Sequence, residues 1–378
     1  MPKIRAAIFG AGFMGRVHTE AIRRLGNVEV KTVAASNPAG AERFAQAFSI
    51  PQAIADWRDA LADPEIDAVH ICTPNHLHYT MAKAALEAGK HVLCEKPLTM
   101  TPAEAHELVA LAGRSRLANC VNHNLRFYPQ VQQARAMIEA GELGEILIVN
   151  GTYFQDWLLN STDWNWRASA ASGGELRAMG DIGSHWMDAI QHVTGLPVTA
   201  LCADLATFHK TRRRPRGSVE TFSRETGAEY DDVEVHTDDF GAVLIRLGDR
   251  AHGSFAVSQV SAGRKNRFEF EIYGTKAGVA WNQERPDELW IGHRGRANEI
   301  LLKDPSLLDP RAAAFADLPG GHSEGYDDTH KQMFRRFYAR VADANAPVEY
   351  PTFEDGARGM ELLEKVLESS RRQGWVDC

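Results

Sequence analysis

Strand-like and helix-like segments alternate along the first 121 residues of this 378-residue chain, and this alternation limits the possible folds more than any other feature. Such a sequence favours a parallel sheet with helices on both faces, the doubly wound arrangement. Thr101-Pro102 marks one helix start, because threonine is a good N-cap and proline fits the first turn. The predicted strands cover residues 3–9, 28–35, 67–72, 90–94 and 117–121, and the predicted helices cover 13–25, 39–48, 75–88 and 102–113.

The pattern changes after residue 121. Predicted strands now follow one another directly through short turns, which favours a large, mainly antiparallel sheet. We therefore predict an α/β protein with a doubly wound domain at 1–121 and an α+β domain at 122–378. The predicted strands of the second domain cover 144–154, 198–207, 239–247, 251–260, 267–273 and 278–282, and its helices cover 182–194, 324–344 and 354–370, the last of which can pack back on the N-terminal domain.

Composition narrows the class of protein. The formal net charge of −8 argues against a nucleic-acid partner, and no apolar stretch is long enough to span a bilayer. The five cysteines are far apart and no signal peptide precedes the strand at 3–9, so we predict a reduced, cytoplasmic protein. The one basic run, residues 212–216, is flanked by Gly, Pro and Ser, which predicts a solvated loop within the least structured segment, 209–236.

A glycine-rich turn joins the first predicted strand to the first predicted helix. Gly10, Gly12 and Gly15, with Phe13 and Met14 between them, have the spacing that lets a pyrophosphate approach a helix N-terminus. Ser36-Asn37 ends the second strand, where a carboxylate would otherwise bind the ribose of NAD. Because no cation adjoins Ser36 to bind a 2′-phosphate, we predict NAD or NADP as the cofactor, with NAD favoured.

Polar residues follow the strands at 67–72 and 90–94. Thr73, Asn75 and His78 lie after the first of these strands, where Asn75 is a candidate for positioning the nicotinamide and its ribose. For His78, capping and packing of the helix are the alternative. After the second strand come Glu95 and Lys96, and the lysine is predicted at the carboxyl edge of the sheet, where such folds bind ligands. The alternative for Lys96 is a surface salt bridge with Glu95.

Asp181 and His185 stand four residues apart, so on a helix they would share one face. The alternative for Asp181 is an N-cap of its own helix. A dinucleotide site, a positioned lysine and an Asp/His pair together suggest hydride transfer at an alcohol carbon.

These motifs give the chain a resemblance to the glucose-fructose oxidoreductase / inositol dehydrogenase / MocA family over essentially its whole length. The residues that carry the resemblance are the turn Gly10-Ala11-Gly12-Phe13-Met14-Gly15, Thr73-Pro74-Asn75 with His78, the run Ala88-Gly89-Lys90-His91-Val92-Leu93-Cys94-Glu95-Lys96-Pro97, and Asp181-Ile182-Gly183-Ser184-His185. The resemblance implies a Rossmann domain followed by a domain whose open sheet often mediates contacts in a homodimer or homotetramer. Ser36 departs from the family, in which many members carry aspartate there.

The resemblance also implies catalytic roles for Lys96, Asp181 and His185. A reacting secondary alcohol loses its hydroxyl proton as the hydride leaves, and histidine suits the role of base. Asp181 would orient the imidazole or accept a bond from a sugar hydroxyl. Lys96 would stabilise the developing alkoxide or relay the proton.

Aromatic and polar residues mix in the segment 153–167, a composition that suits a polyol better than an apolar ligand. The alternative for its tryptophans is packing in the core or a subunit contact, and for Arg126 a structural contact between the domains. The predicted substrate-binding residues are Lys96, Asn124, Arg126, Tyr153, Gln155, Trp157, Trp166, Arg167, Asp181, His185 and His322, with Tyr326 as a further candidate.

We therefore predict an NAD(P)-dependent oxidoreductase that interconverts a secondary hydroxyl of a sugar, glycoside, anhydrosugar or cyclitol with its ketone. One alternative is an enzyme that keeps its nicotinamide and runs a closed redox cycle, such as sugar–sugar oxidoreduction or glycoside cleavage through a ketone. The other is a dinucleotide-binding sensor without turnover, although such proteins are expected to lack Lys96 and the Asp/His pair. No metal site is predicted, because the histidines lack the spacing and partners of a ligand set.

Overall fold

The computed structural model describes residues 3–216 and 229–378. The described residues form two compact units. The first takes in the chain up to Asn124 together with Ala171–Gly174 and His330–Met360, and the second takes in the rest. The predicted domains, 1–121 and 122–378, are each continuous in sequence, whereas the two compact units are not.

The first unit is built on a six-stranded sheet in which every neighbouring pair of strands is parallel. Its strand order, 3-2-1-4-5-6, is that of the doubly wound dinucleotide-binding fold, so the prediction is confirmed. The sequence patterns missed only β3 and α3, which are too short to show a period. The elements are β1 (Ile4–Phe9), α1 (Phe13–Arg23), β2 (Val28–Ala34), α2 (Pro38–Ala47), β3 (Gln52–Ile54), α3 (Trp57–Ala62), β4 (Ala68–Ile71), α4 (His78–Glu87), β5 (His91–Cys94), α5 (Pro102–Ser115) and β6 (Asn119–Val121).

Local signals set the start of α5 as predicted. The Thr101 side chain accepts a hydrogen bond from the Glu104 backbone N–H at 3.3 Å, and the Glu104 carboxylate accepts one from the Thr101 N–H at 3.1 Å. This reciprocal pair is a capping box, which satisfies backbone donors that the first turn leaves unpaired. The helix therefore begins where the sequence alone places it.

Beyond Asn124 the chain forms a nine-stranded sheet and a separate two-stranded ribbon, β9 with β10. Among the described strands of the large sheet, only β7 and β12 pair in parallel, which confirms the mainly antiparallel prediction. The elements are α6 (Pro129–Glu139), β7 (Ile146–Phe154), α7 (Ala170–Gly173), α8 (Ser184–Thr194), β8 (Val198–Ala206), β9 (Thr211–Pro215), β10 (Tyr230–Glu234), β11 (Phe240–Leu247), β12 (Ala251–Ser258), β13 (Arg267–Gly274), β14 (Gly278–Asn282), β15 (Glu288–Gly292), β16 (Glu299–Leu302), α9 (Pro310–Ala313), α10 (Tyr326–Ala342), α11 (Phe353–Arg372) and β17 (Val376–Asp377).

Helix α8 packs on one face of this sheet through Trp186, which is fully buried. Its indole stacks on Phe255 with ring centroids 4.3 Å apart and donates a hydrogen bond to the Glu269 carbonyl at 3.0 Å. Gly151 lies beneath it, where a Cβ would meet both the Trp186 indole nitrogen, at 2.6 Å, and the Glu269 carbonyl. Glycine at this position therefore lets α8 approach β7, which brings the start of the helix close to the end of the strand.

The predicted solvated loop at 209–236 is wrong where the structure describes it. The ribbon of β9 and β10 occupies most of its described part, and residues 217–228 lie outside the described residues. Arg212 is fully buried and donates to the Asp239 carboxylate at 2.7 Å. Arg177, also buried, pairs with the same carboxylate oxygen. A basic run on a strand alternates between two faces, so one of its arginines can point inward if a buried carboxylate receives it.

None of the helices within residues 3–216 and 229–378 combines the length and apolar character needed to cross a membrane.

Candidate active site

The glycine-rich turn between β1 and α1 has the shape of a pyrophosphate cradle. Gly10 has φ +110°, and a Cβ there would lie 2.6 Å from the Cys72 carbonyl oxygen. A Cβ on Gly15 would collide with the Gly10 carbonyl oxygen, whereas Gly12 has no heavy atom within 4 Å of its Cβ position. No side chain caps the first turn of α1, which starts at Phe13 and Met14. The turn thus leaves open space in front of helix N–H groups, which suits the diphosphate of a dinucleotide.

Ser36 and Asn37 follow β2 and are both exposed. The Asn37 side chain caps α2 by accepting a hydrogen bond from the Gly40 N–H at 3.3 Å. Asn37 thus has a local role in the helix. Ser36 remains the predicted contact with the ribose.

The loop after β4 is tied to the loop after β5 by His78. The two ring nitrogens of His78 lie 2.9 Å from the Thr73 carbonyl oxygen and 2.8 Å from the Pro97 carbonyl oxygen. Burial lowers the pKa of His78, although both of these bonds oppose the shift. Asn75 is buried and donates to the Gly173 carbonyl at 2.8 Å. His78 therefore supports the backbone of both loops, as its packing alternative states, and any effect on a cofactor would pass through their shape.

Lys96 is only 9% exposed, so the alternative of a surface salt bridge with Glu95 is wrong. It follows β5 and precedes a cis peptide bond to Pro97. The Glu95 carboxylate is buried too, and it accepts hydrogen bonds from the His18 Nε2, at 2.9 Å, and from the Asn122 amide. Side chains of successive residues in an extended chain point to opposite sides. The Lys96 side chain therefore points away from that of Glu95.

A chain of buried hydrogen bonds ends at Glu95. Tyr338 Oη lies 2.8 Å from His70 Nε2, and His70 Nδ1 lies 2.9 Å from His18 Nδ1. Burial raises the pKa of Tyr338 and lowers that of His70, so the phenol is protonated and the His70 imidazole is neutral. At the other end, His18 donates through Nε2 to the Glu95 carboxylate. No local pattern in the sequence predicts this network of hydrogen bonds, because its members come from α1, β4 and α10.

The lowered pKa of Glu95 makes the stability of this hydrogen-bond network sensitive to acid. Burial alone would raise this pKa, but the hydrogen bond from His18 and the nearby Lys96 and Asn122 lower it to about 2. The stabilisation is complete above the ordinary value of 4.5 and is lost as the pH falls towards 2. We expect the stability difference between the wild type and Glu95→Gln to shrink by about 3 kcal/mol across that window.

Urea unfolding at a series of pH values measures this difference. Glu87→Gln, which removes an exposed carboxylate at the end of α4, is the control and should differ little from the wild type at any pH. A difference between the wild type and Glu95→Gln that stays constant from pH 7 to pH 2.5 would contradict the assignment.

Asp181 lies in a π-helical turn, Met179–Gly183, and not in α8. The α-helix predicted at 182–194 begins two residues later, at Ser184. The N-cap alternative for Asp181 is wrong, because Gly183 is the N-cap of α8. The Asp181 carboxylate accepts from Arg167 Nε at 3.1 Å on one oxygen and from Gln259 Nε2 at 2.8 Å on the other. A π-turn inserts one extra residue into a helix, and such turns occur frequently at functional sites.

His185 lies in the first turn of α8 and is largely buried. Its ring is near that of Tyr153, with centroids 6.4 Å apart. The Asp181 and His185 side chains, together with Tyr153 at the end of β7, belong to one end of the nine-stranded sheet. The second unit thus brings these three predicted residues together.

The aromatic segment 153–167 keeps all three of its tryptophans half-buried. Arg167 stacks over Trp166, with the guanidinium carbon 4.3 Å from the ring centroid. The Trp157 indole donates to the Gln155 side chain at 2.8 Å, and Gln155 donates to Asn266 at 2.8 Å. Asn266 and Gln259 join the predicted residues here, and no motif in the sequence marks either of them.

The remaining candidates are more dispersed. Arg126 forms a two-pronged ion pair with Asp188 of α8, at 2.8 Å through Nε, within the second unit. Asn124 is buried in a 3₁₀ turn, Asn124–Phe127. His322 is exposed, and its carbonyl accepts from Lys303 Nζ at 2.7 Å. Tyr326 is the first residue of α10. Within the described residues, no group of three His, Cys, Asp or Glu side chains is placed to hold a metal ion.

The parallel sheet of order 3-2-1-4-5-6 and its glycine cradle define a dinucleotide-binding protein. Comparison with known families is more specific. Residues 4–123 match the oxidoreductase family with an NAD-binding Rossmann fold, GFO_IDH_MocA, and residues 131–280 match the GFO/IDH/MocA C-terminal domain. The chain belongs to this family and is an NAD-binding oxidoreductase, as predicted.

Individual relatives cover the whole chain. A levoglucosan dehydrogenase of Pseudarthrobacter phenanthrenivorans is 31% identical, over 100% of this chain and 98% of its own. The structure of a levoglucosan dehydrogenase with NADH and L-sorbose matches with a TM-score of 0.89 at 30% identity, over 100% of this chain and 99% of its own. An inositol dehydrogenase homolog with NAD+ from Azotobacter vinelandii matches with a TM-score of 0.87 at 25% identity, over 100% and 97%.

Proposed function

We propose that the chain oxidises a secondary hydroxyl of a carbohydrate to the ketone with NAD. The observation that carries this proposal is the end of the nine-stranded sheet, where a fixed carboxylate and a histidine adjoin half-buried aromatic and amide side chains. Aromatic faces suit the C–H surface of a sugar ring, and amides suit its oxygens. The relatives named as levoglucosan and D-glucoside 3-dehydrogenases support the same substrate class.

The proposed roles follow from the chemistry of alcohol oxidation. When bound, the nicotinamide accepts the hydride from the alcohol carbon. His185 takes the hydroxyl proton, and the Lys96 ammonium stabilises the oxygen as negative charge develops on it. Asp181 is fixed by Arg167 and Gln259, so its carboxylate can accept a hydrogen bond from the imidazole or from a neighbouring sugar hydroxyl without reorganising.

The direct test is to follow the absorbance of reduced nicotinamide with NAD and, separately, with NADP. The panel comprises levoglucosan, methyl glucosides, free hexoses and myo-inositol. We expect turnover of pyranose substrates with NAD. No turnover across the panel by a protein that demonstrably binds NAD would contradict the proposal. Nicotinamide that co-purifies and does not exchange would then favour a closed redox cycle, and exchangeable binding without chemistry would favour a sensor.

Ser36→Asp is expected to weaken NADP binding by about tenfold or more, because a carboxylate after β2 repels the 2′-phosphate. NAD binding should be unchanged or tighter, since the carboxylate can accept hydrogen bonds from the ribose. Isothermal titration with each cofactor measures both effects. Asn27→Asp adds the same charge before the start of β2, at the other end of this strand, and should leave the ratio of affinities as in the wild type. Equal NADP affinity in Ser36→Asp and wild type would mean that Ser36 does not contact the ribose of the cofactor.

Contacts between copies of the chain are proposed on the face of the nine-stranded sheet opposite α8. Ile148 is 46% exposed and Leu244 is 51% exposed on this face. The two residues lie on β7 and β11, which are separated only by β12. Apolar side chains exposed on one sheet face favour association, which supports the predicted homodimer or homotetramer.

A further inference from the structure

Three hydrogen bonds at the end of β7 determine which way each amide points. The indole N–H of Trp157 can only donate, so Gln155 accepts it through Oε1, at 2.8 Å. The other end of the Gln155 amide is then Nε2, a donor, which lies 2.8 Å from Asn266 Oδ1. These hydrogen bonds therefore assign which atom of the Asn266 amide is oxygen and which is nitrogen, an assignment that shape alone does not give.

The Tyr153 hydroxyl is the second donor to Asn266 Oδ1, also at 2.8 Å. Burial, with a smaller contribution from the Asp181 charge, raises the pKa of Tyr153 well above its ordinary value, so the phenol stays protonated. Two donors therefore converge on one oxygen that has two lone pairs. The Asn266 Nδ2 group is left with two N–H donors, and in the described part of the chain no acceptor is bonded to it.

Asn266 lies at the same end of the sheet as the proposed base. It directly precedes β13, whose first residue, Arg267, pairs with Phe154 at the end of β7. Its partner Tyr153 adjoins His185. Asn266 is only half-buried, so a ligand can reach its amino group.

We propose that Asn266 is a specificity-determining residue whose N–H groups bind an acetal oxygen of the substrate. This inference rests on the proposed function. An acetal oxygen, whether in the ring or in an anhydro bridge, can only accept a hydrogen bond, so it needs a donor that cannot turn into an acceptor. The converging bonds from Tyr153 and Gln155 hold Asn266 as such a donor. Cyclitols, which have hydroxyls and no acetal oxygen, gain less from it.

Asn266→Asp tests this assignment because it preserves shape. Aspartate keeps the oxygen that accepts from Tyr153 and Gln155, and replaces the amino group by an acceptor. The probes are D-glucose and its carbocyclic analogue, in which CH₂ replaces the ring oxygen. Their dissociation constants for the NADH-loaded protein are measured by calorimetry. We expect the wild type to prefer glucose by about tenfold or more, and Asn266→Asp to bring the two affinities within about threefold of each other.

Two further variants separate this role from a structural one. Gln155→Glu keeps the acceptor for Trp157 but presents an oxygen to Asn266, which should rotate the Asn266 amide and reduce the preference for glucose with Asn266 itself unchanged. Asn298→Asp is the control. The Asn298 side-chain oxygen accepts a hydrogen bond from the His293 backbone N–H at 2.9 Å, and the preference of this variant for glucose should remain that of the wild type.

A preference for glucose that is the same in Asn266→Asp and wild type overturns this inference and leaves the proposed function intact. A wild type that binds and oxidises no sugar overturns both. Circular dichroism and NADH affinity equal to those of the wild type establish that Asn266→Asp is folded, so a loss of preference reports on recognition.

Discussion

Lys96→Met is expected to lower kcat for the carbohydrate substrate by at least about a thousandfold, with NAD affinity changed by less than about threefold. Methionine has nearly the length of the lysine stem and no charge, so it removes the cation that we propose stabilises the developing alkoxide. Loss of one preorganised donor to an oxyanion costs about 10² to 10³ in kcat, and the loss of a full charge costs more. Lys96 is also largely buried, where little water can replace the lost interaction.

Single-turnover and steady-state rates, with calorimetry for NAD, measure this prediction. Lys83→Met is the matched control, because Lys83 lies on α4 and pairs with Glu107 at 2.6 Å on the surface. It should retain wild-type kcat. Lys96→Arg tests geometry, since a guanidinium keeps the charge but not the point-like donor, and we expect it to remain far below wild type. A kcat of Lys96→Met within tenfold of the wild-type value would contradict the proposed role of Lys96 in the reaction.

Asp239→Asn is expected to lower the free energy of unfolding by about 3 to 5 kcal/mol. Arg177 and Arg212 both donate to one oxygen of Asp239, and none of the three side chains reaches solvent. Burial lowers the pKa of Arg177 to about 10 and that of Arg212 to about 9, so both side chains are still charged at neutral pH. Removing the shared carboxylate leaves two buried cations close together. The charges of Asp238 and Asp163 and the backbone carbonyls that Arg212 donates to compensate only in part.

Urea unfolding of Asp239→Asn against wild type measures this loss. Asp231→Asn is the control, because Asp231 lies on β10 and pairs with the exposed Arg216 at 2.8 Å. Such a surface pair contributes about 1 kcal/mol or less. Equal losses in the two variants would mean that the Asp239 cluster is no more than a set of solvated ion pairs.

The Asp239 cluster also adjoins the turn of the second unit that carries Asp181. Asp238, its neighbour, accepts from the backbone N–H groups of Arg177 and Met179, at 2.6 and 2.7 Å, at the start of the π-helical turn that carries Asp181. The buried charges therefore stabilise a turn that ordinary helical hydrogen bonding would not form.

Local features of the sequence determined much of the first unit. The glycine spacing at 10, 12 and 15, the strand–helix alternation and the Thr101 capping box each depend on residues close together in the chain. Backbone sterics and hydrogen bonding act over that range, so the sequence was enough to predict the cofactor cradle. Short edge elements such as β3 and β17 were missed, because three residues or fewer show no period.

Long-range pairing decided the rest. Arg212 meets Asp239 across 27 residues, and Tyr338 meets His70 across 268. Nothing in the local sequence distinguishes a buried arginine from a solvated one, because its burial depends on whether a carboxylate arrives from elsewhere. The same holds for Asn266, whose amide is oriented by Tyr153 and by Gln155, which Trp157 orients in turn. By itself the sequence determined the family, the cofactor cradle and the residues of the proposed chemistry, whereas only the tertiary structure decided the orientation of polar groups, since a side chain's hydrogen-bond direction is set by its partners in space.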